Sequence, residues 1–176
     1  MIDGDKVVHE VDLAATPETV FAMFVDPQRL VRWIGLTAEV EPRPGGIFRF
    51  EVVPGQFCEG RYLIIEPPQR LVFTWGWTDP AMGLAPGSSS VEVTLQSEGS
   101  ITRLRLVHRG LPTGDGQLLH DDGWIRFLAR LSATVEMRDT PPYPSESPQE
   151  RLQILHDTKG GHGGRCPHRG CDRSSG

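Results

Sequence analysis

The chain opens with alternation. Over Lys6–Ala14 (KVVHEVDLA), Val7, His9, Val11 and Leu13 fall on one side and Val8, Glu10 and Asp12 on the other. That is the period-two pattern of a strand. The spacing then changes. Thr16 stands where a helix N-cap would, Pro17 suits the first helical position and Glu18 suits the dipole. Val20, Phe21 and Phe24 follow as an apolar stripe with Met23 beside it. Asp26-Pro27 restarts the pattern, and Leu30, Val31, Trp33 and Ile34 predict a second short helix.

Pro42–Gly46 (PRPGG) is a turn signal. Beyond it, Ile47–Val53, Cys58–Glu66, Arg70–Trp77, Ser89–Ser97 and Ile101–Arg109 have the length and β-branched or aromatic content of strands. Pro54-Gly55, Pro67-Pro68, Asp79-Pro80 and Glu98-Gly99 punctuate them. Short turns between successive strands predict an antiparallel meander. From about Gly116 to Arg138 the period lengthens again, with Asp115 placed to cap. Leu119, Trp124, Phe127, Leu128, Leu131 and Val135 share one helical face; Arg126, Arg130 and Glu136 lie off it. His120 is read as a solvent residue near the helix start, and Asp121-Asp122 as first-turn acids. The predicted class is α+β: a curved antiparallel sheet of about six strands, two short helices after strand one, and a long C-terminal helix over the concave face.

The composition shifts after Asp139. Thr140 begins TPPYPSESPQE, and residues 160–176 read GGHGGRCPHRGCDRSSG, without an aliphatic or aromatic side chain. Residues 1–139 are therefore read as the domain, and 140–176 as a Pro/Gly-rich tail expected to be mostly disordered. Glu150–Asp157 (ERLQILHD) has helical character but is too short to stand alone. In the tail, His162, Cys166, His168 and Cys171 are of metal-ligand type, yet their spacing does not match structural zinc sites, so no metal is assigned. Cys58 reads as a small apolar side chain at a strand start. No glycine-rich phosphate loop, G-x-S-x-G elbow or H-E-x-x-H motif occurs, and no cofactor is assigned.

Composition narrows the partners. With 38% apolar residues, the 176-residue chain has material for one core. Lys and Arg total 18 against 23 Asp and Glu, a net charge of −5, which argues against a nucleic-acid backbone as partner. No run reaches the roughly 18 apolar residues of a membrane helix, and MIDGDKVVHEVDL has no secretory pattern. Three cysteines do not make a disulfide scaffold. The expectation is a soluble cytoplasmic protein.

Alternation sorts the sheet's two faces. The inward sets are Phe48, Phe50 and Val52; Leu71, Phe73, Trp75 and Trp77; Val91, Val93 and Leu95; and Leu104, Leu106 and His108. Cys58–Glu66 is ambiguous: Tyr62 and Ile64 share one face, Arg61, Leu63 and Ile65 the other, with Tyr62 favoured inward. Arg49, Arg61, Arg103, Arg105 and Arg109 fall on the convex face, where Glu51, Glu59 and Glu92 can pair with them.

This order of elements resembles the START-like superfamily, the helix-grip fold of the birch-pollen allergen. More narrowly, it resembles the family named for the activator of heat-shock protein 90 ATPase. The carrying segments are ATPETVFAMFVDPQRLVRWIG at 15–35, PRPGGIFRFEV at 42–52 and EGRYLIIEPPQRLVFTWGW at 59–77. VEVTLQSEGSITRLRLVHRGLP at 91–112 and HDDGWIRFLARL at 120–131 complete a match over about residues 6–137. The tail has no counterpart. The resemblance implies a cavity between the long helix and the sheet, but neither one ligand nor one reaction. The ligand-binding residues expected from it are Phe50, Tyr62, Phe73, Trp75, Trp77, His108, Trp124, Phe127 and Leu128. The leading expectation is binding of a hydrophobic or aromatic small molecule without catalysis, by a monomer or homodimer. The rivals are a co-chaperone acting on the heat-shock protein 90 ATPase and a polyketide cyclase or hydrolase using His108 and Tyr62. Against any cavity stands the reading that these aromatics simply fill a core.

Overall fold

A computed structural model describes residues 1–160. The elements are β1 (Ile2–Asp3), β2 (Lys6–Leu13), α1 (Pro17–Val25), α2 (Pro27–Leu30), β3 (Thr37–Val40), β4 (Ile47–Val53), β5 (Gln56–Glu66), β6 (Arg70–Trp75), β7 (Ser89–Glu98), β8 (Ile101–Arg109), α3 (Asp115–Val135) and α4 (Pro148–Gly160). The strands form one antiparallel sheet in the order β1-β2-β8-β7-β6-β5-β4-β3. Eight strands replace the expected six because β1 and β3 add short edges. The helix-grip class holds. The α1–α2 crossover carries the chain from β2 to the far edge, and α3 lies across the concave face.

The local signals explain the early elements. Thr16 accepts from Thr19 N–H at 3.3 Å with Pro17 behind it, and Asp26 accepts from Gln28 N–H at 2.9 Å to start α2. The C-terminal carbonyls of α1 lack helical donors. Trp33 Nε1 donates to Met23 O at 3.0 Å, and the Tyr62 hydroxyl donates to Phe24 O at 2.6 Å. Tyr62 thus ties α1 to the sheet.

All four inward sets are buried. The ambiguity in β5 resolves at a bulge. Tyr62 pairs with Phe73 but Ile64 pairs with Val72, so the register shifts and the face changes after Tyr62. Tyr62 is fully buried and Ile65 packs on the core, whereas Leu63 is exposed. The expected sharing of one face by Tyr62 and Ile64 fails for this reason. The convex face carries ion pairs: Arg103 with Asp12 at 2.9 Å, Arg105 with Glu10 at 3.1 Å and Arg109 with Glu92 at 3.3 Å.

Four expectations for the long helix need correction. Its N-cap is Gly114, which offers no side-chain cap, and Asp121-Asp122 lie well inside α3 rather than in its first turn. His120 is buried, because it sits on the face turned to Trp77. Arg130 is buried too, its guanidinium donating to Trp33 O at 3.1 Å, to Arg32 O at 3.3 Å and to Pro141 O. A guanidinium among carbonyls replaces the water that the sequence assigned to it.

The sequence sets residues 140–176 apart as a tail; the described part, 140–160, instead lies against the domain. The Tyr143 hydroxyl donates to Val52 O at 2.9 Å and accepts from Gly35 N–H at 3.1 Å. Ser147 and Glu150 form a capping box, with Ser147 N–H to Glu150 Oε2 at 2.7 Å and Glu150 N–H to Ser147 Oγ at 3.3 Å. That box starts α4. The His162, Cys166, His168 and Cys171 group lies outside the described residues.

Candidate functional site: an aromatic cleft and its cover

Trp75 is the hub of the concave face. Its ring centroid lies 5.1 Å from Trp124, 5.3 Å from Phe50, 5.5 Å from His108, 6.0 Å from Trp77 and 6.3 Å from His120. Gly76 separates Trp75 from Trp77. A Cβ there would fall 1.8 Å from Ala85 O, so the returning loop runs against the backbone at that point. Trp77 N–H then donates to Leu84 O at 2.7 Å.

The buried polar groups form two closed chains. Trp124 Nε1 donates to His108 Nδ1 at 3.1 Å. His108 Nε2 must then carry the proton, and it faces Ser89 Oγ at 2.9 Å. The Ser89 hydroxyl passes its own proton to Trp75 O at 3.0 Å. In the second chain His120 Nδ1 lies 2.7 Å from Gly116 O and is the donor. Its Nε2 lone pair accepts from Trp77 Nε1 at 3.1 Å. Each imidazole is complete when neutral. Burial holds the His108 pKa well below its usual 6.5, with the neighbouring His120 adding to the effect. Burial also lowers His120, to about 4, against the opposing bond to Gly116.

One donor stands outside both chains. Trp75 Nε1 is buried and meets no acceptor among the described residues. Trp75 also lines a cleft at the seam between α3 and β4–β6. Phe50, Val52, Trp77, Leu119, His120, Gly123, Trp124 and Phe127 complete its apolar wall. Asp122, Arg126, Pro144, Glu146, Pro148 and Arg151 form its rim. The cleft's volume is about 70 Å³, near half of the ~150 Å³ of a cavity that holds benzene. The broad hollow expected beneath the helix is therefore largely occupied by the indoles themselves.

Five expected binding residues meet here: Phe50, Trp75, Trp77, Trp124 and Phe127. Four do not line the cleft. Tyr62 is committed to Phe24 O, Phe73 is stacked behind Phe48 at 4.2 Å, His108 is covered by Trp124 and Ser89, and Leu128 points into the core. Tyr62 and His108 thus share no contact that would make them an acid–base pair, and both His108 nitrogens are engaged.

The rim was not legible as a site. It is an ion-pair cluster between α3 and residues 146–151. Arg151 makes a bidentate pair with Asp122 at 2.6 and 2.8 Å, and Arg126 meets Glu146 at 2.6 Å. Longer contacts at 3.8 Å close the ring, Arg126 to Asp122 and Arg151 to Glu146. The Ser147-x-x-Glu150 capping box with Pro148 was the available signal for this cover. Nothing in the sequence could announce that it would dock on Asp122.

Sheet, crossover helices and gripping helix define the START-like helix-grip class. Solved structures share it: an AHSA1-like protein of Rhizobium etli is 34% identical, with a TM-score of 0.63 over 96% of this chain and 94% of its own. CalU16 of Micromonospora echinospora is 25% identical, with a TM-score of 0.61 over 87% of this chain and 84% of its own. DynU16, of the dynemicin biosynthetic locus, is 26% identical with a TM-score of 0.65, over 76% of this chain and 48% of its own. The model of the activator of Hsp90 ATPase homolog 1-like family matches residues 14–136, and the chain belongs to that family. A Schizosaccharomyces pombe relative, C1711.08, is 26% identical over 136 residues, 70% of this chain, and the chain spans only 39% of its length. Residues 140–160 lie beyond the family match. No described helix is long and apolar enough to cross a membrane.

Proposed function

We propose that this protein binds a hydrophobic or aromatic small molecule, without catalysis, in the cleft between α3 and the sheet. The observation that carries the reading is a seam walled by Phe50, Trp75, Trp77, Trp124 and Phe127 and roofed by a separate segment. Ligand sites are mostly apolar with a few placed polar groups. At about 70 Å³ the cleft is smaller than a cavity that holds one benzene ring, so a ring enters by displacing part of the cover. Residues 1–139 then act as the receptacle and 140–160 as its roof. The dynemicin-locus neighbour supports a small-molecule setting. The co-chaperone reading draws on the family's description alone.

Filling the cleft tests this better than emptying it. Gly123 lines the cleft, and a Cβ added there meets nothing within 4 Å. Gly123→Leu should keep or raise stability, since glycine costs a helix about 1 kcal/mol. It should also abolish saturable binding of the neutral fluorescent probe N-phenylnaphthylamine. Undiminished binding to this variant, or none to the wild type, removes the proposal.

A further inference from the structure

We infer that residues 144–160 are a charge-latched lid. The segment turns about an anchor at Tyr143, its closed position excludes the ligand, and the strength of the latch sets how tightly the cleft binds. The inference rests on the binding reading above and adds the regulation of that site.

The cover is held at two places by different chemistry. The first hold joins it to backbone groups and rings of the domain. The Tyr143 hydroxyl spans Val52 O and Gly35 N–H, and its ring centroid lies 5.9 Å from that of Phe127. The Arg130 guanidinium stands 5.1 Å from the centre of the same ring and donates to Pro141 O. The second hold is polar and lies at the rim. Arg151 meets Asp122 at 2.6 Å and Glu146 meets Arg126 at 2.6 Å, with these four side chains 16–28% exposed. Gln149 on Asp79 and His156 on Asp115 add to it. Behind these contacts α4 has little apolar grip. Among its described residues Pro148 alone is buried, Leu152 and Leu155 are half-buried, and Ile154 is 44% exposed. A helix of this length is marginal by itself, and ion pairs near water are weak and screened by salt.

The lid's own residues narrow the cleft. Pro144, Glu146, Pro148 and Arg151 all line it, and about 70 Å³ remains with them in place. Releasing the second hold alone withdraws these four and leaves the wall of Phe50, Trp75, Trp77, Trp124 and Phe127 as it stands. Affinity for a state that is only partly populated is reduced by that fraction. Loosening the latch therefore tightens binding by the factor by which it populates the open lid. By the same linkage, bound ligand holds the lid open.

The test pairs N-phenylnaphthylamine titration with amide exchange on the full chain, wild type and Arg151→Glu, at low and high sodium chloride. Arg151→Glu sets like charges against Asp122 and Glu146. At low salt it should bind the probe about three- to tenfold tighter, and its α4 amides should exchange faster by a similar factor. The Gly35 amide, held by Tyr143, should exchange as before. High salt should bring the wild type toward the variant and change the variant little. Three results overturn the lid and leave the binding reading standing: equal affinities of the two proteins, α4 exchange unchanged by the substitution, or Gly35 exchange that rises with that of α4. Absence of saturable binding by either protein takes away the binding reading and this inference with it. Should Arg151→Glu not fold, the wild type decides: an affinity and α4 exchange that salt leaves unchanged overturn the lid.

Discussion

The wall of the cleft and its roof are built in opposite ways. β6, β8 and α3 meet through interlocked rings and two closed hydrogen-bond chains, with Trp75, His108, His120 and Trp124 all buried. Residues 140–160 meet the same cleft through side chains at their edges: Tyr143 on two backbone groups, Gln149 on Asp79 at 3.2 Å, Arg151 on Asp122, and His156 on Asp115 at 2.7 Å. Burial of aromatic area is indifferent to salt, whereas ion pairs near solvent are screened and individually weak. The wall is therefore expected to unfold with the cooperative core, and residues 140–160 to open before it.

The largest break in that contrast comes from Trp75→Ala. Removing the hub should cost about 3–5 kcal/mol in urea unfolding, a loss shared by the whole domain. A change under about 1 kcal/mol would mean that the wall is not one continuous core.

Acid should act on the wall next. Both buried histidines have pKa values below the usual 6.5, His120 at about 4. Below pH 6.5 the unfolded chain takes up protons that the native imidazoles refuse, so stability falls as pH drops from 6.5 toward 4. His120 alone accounts for about 3 kcal/mol of that fall. Urea midpoints at successive pH values measure it, and His120→Gln, which still offers Trp77 an acceptor, should flatten the slope. A slope unchanged by that variant would contradict the assignment.

Salt and Arg151→Ala sharpen the contrast from the other side, with the smallest effect. Loss of the Asp122 pair should cost about 1 kcal/mol or less, read as faster amide exchange in α4 with β6–β8 unchanged. High salt should do the same to the wild type. Exchange that rises equally in the sheet would make the cover part of the core.

How far the site could be read in advance varies by residue. Trp75, Trp77 and Trp124 follow from a period of two on the strand and from the stripe on the helix, and the structure gathers them. Tyr62 and His108 also follow as inward, but their hydrogen bonds bind them to α1 and Ser89, away from the cleft. Alternation gives a side and carries no information about partners. His120 and Arg130 fail in the other direction. Both are polar residues on a helix whose polar side reads as solvent, and each is buried by a hydrogen-bond partner from elsewhere in the chain, the Trp77 indole N–H donating to His120 and Trp33 O accepting from Arg130.

What the sequence determined by itself is the set of elements and the face each buries, because hydrophobic period, caps and turn residues act over a few neighbouring positions. Tertiary structure alone decided that the Trp75 N–H finds no acceptor among the described residues, that the expected hollow narrows to a cleft, and that residues 144–151 line its rim. Those outcomes depend on which distant groups arrive within hydrogen-bonding reach, and short-range patterning does not encode a distance across the fold.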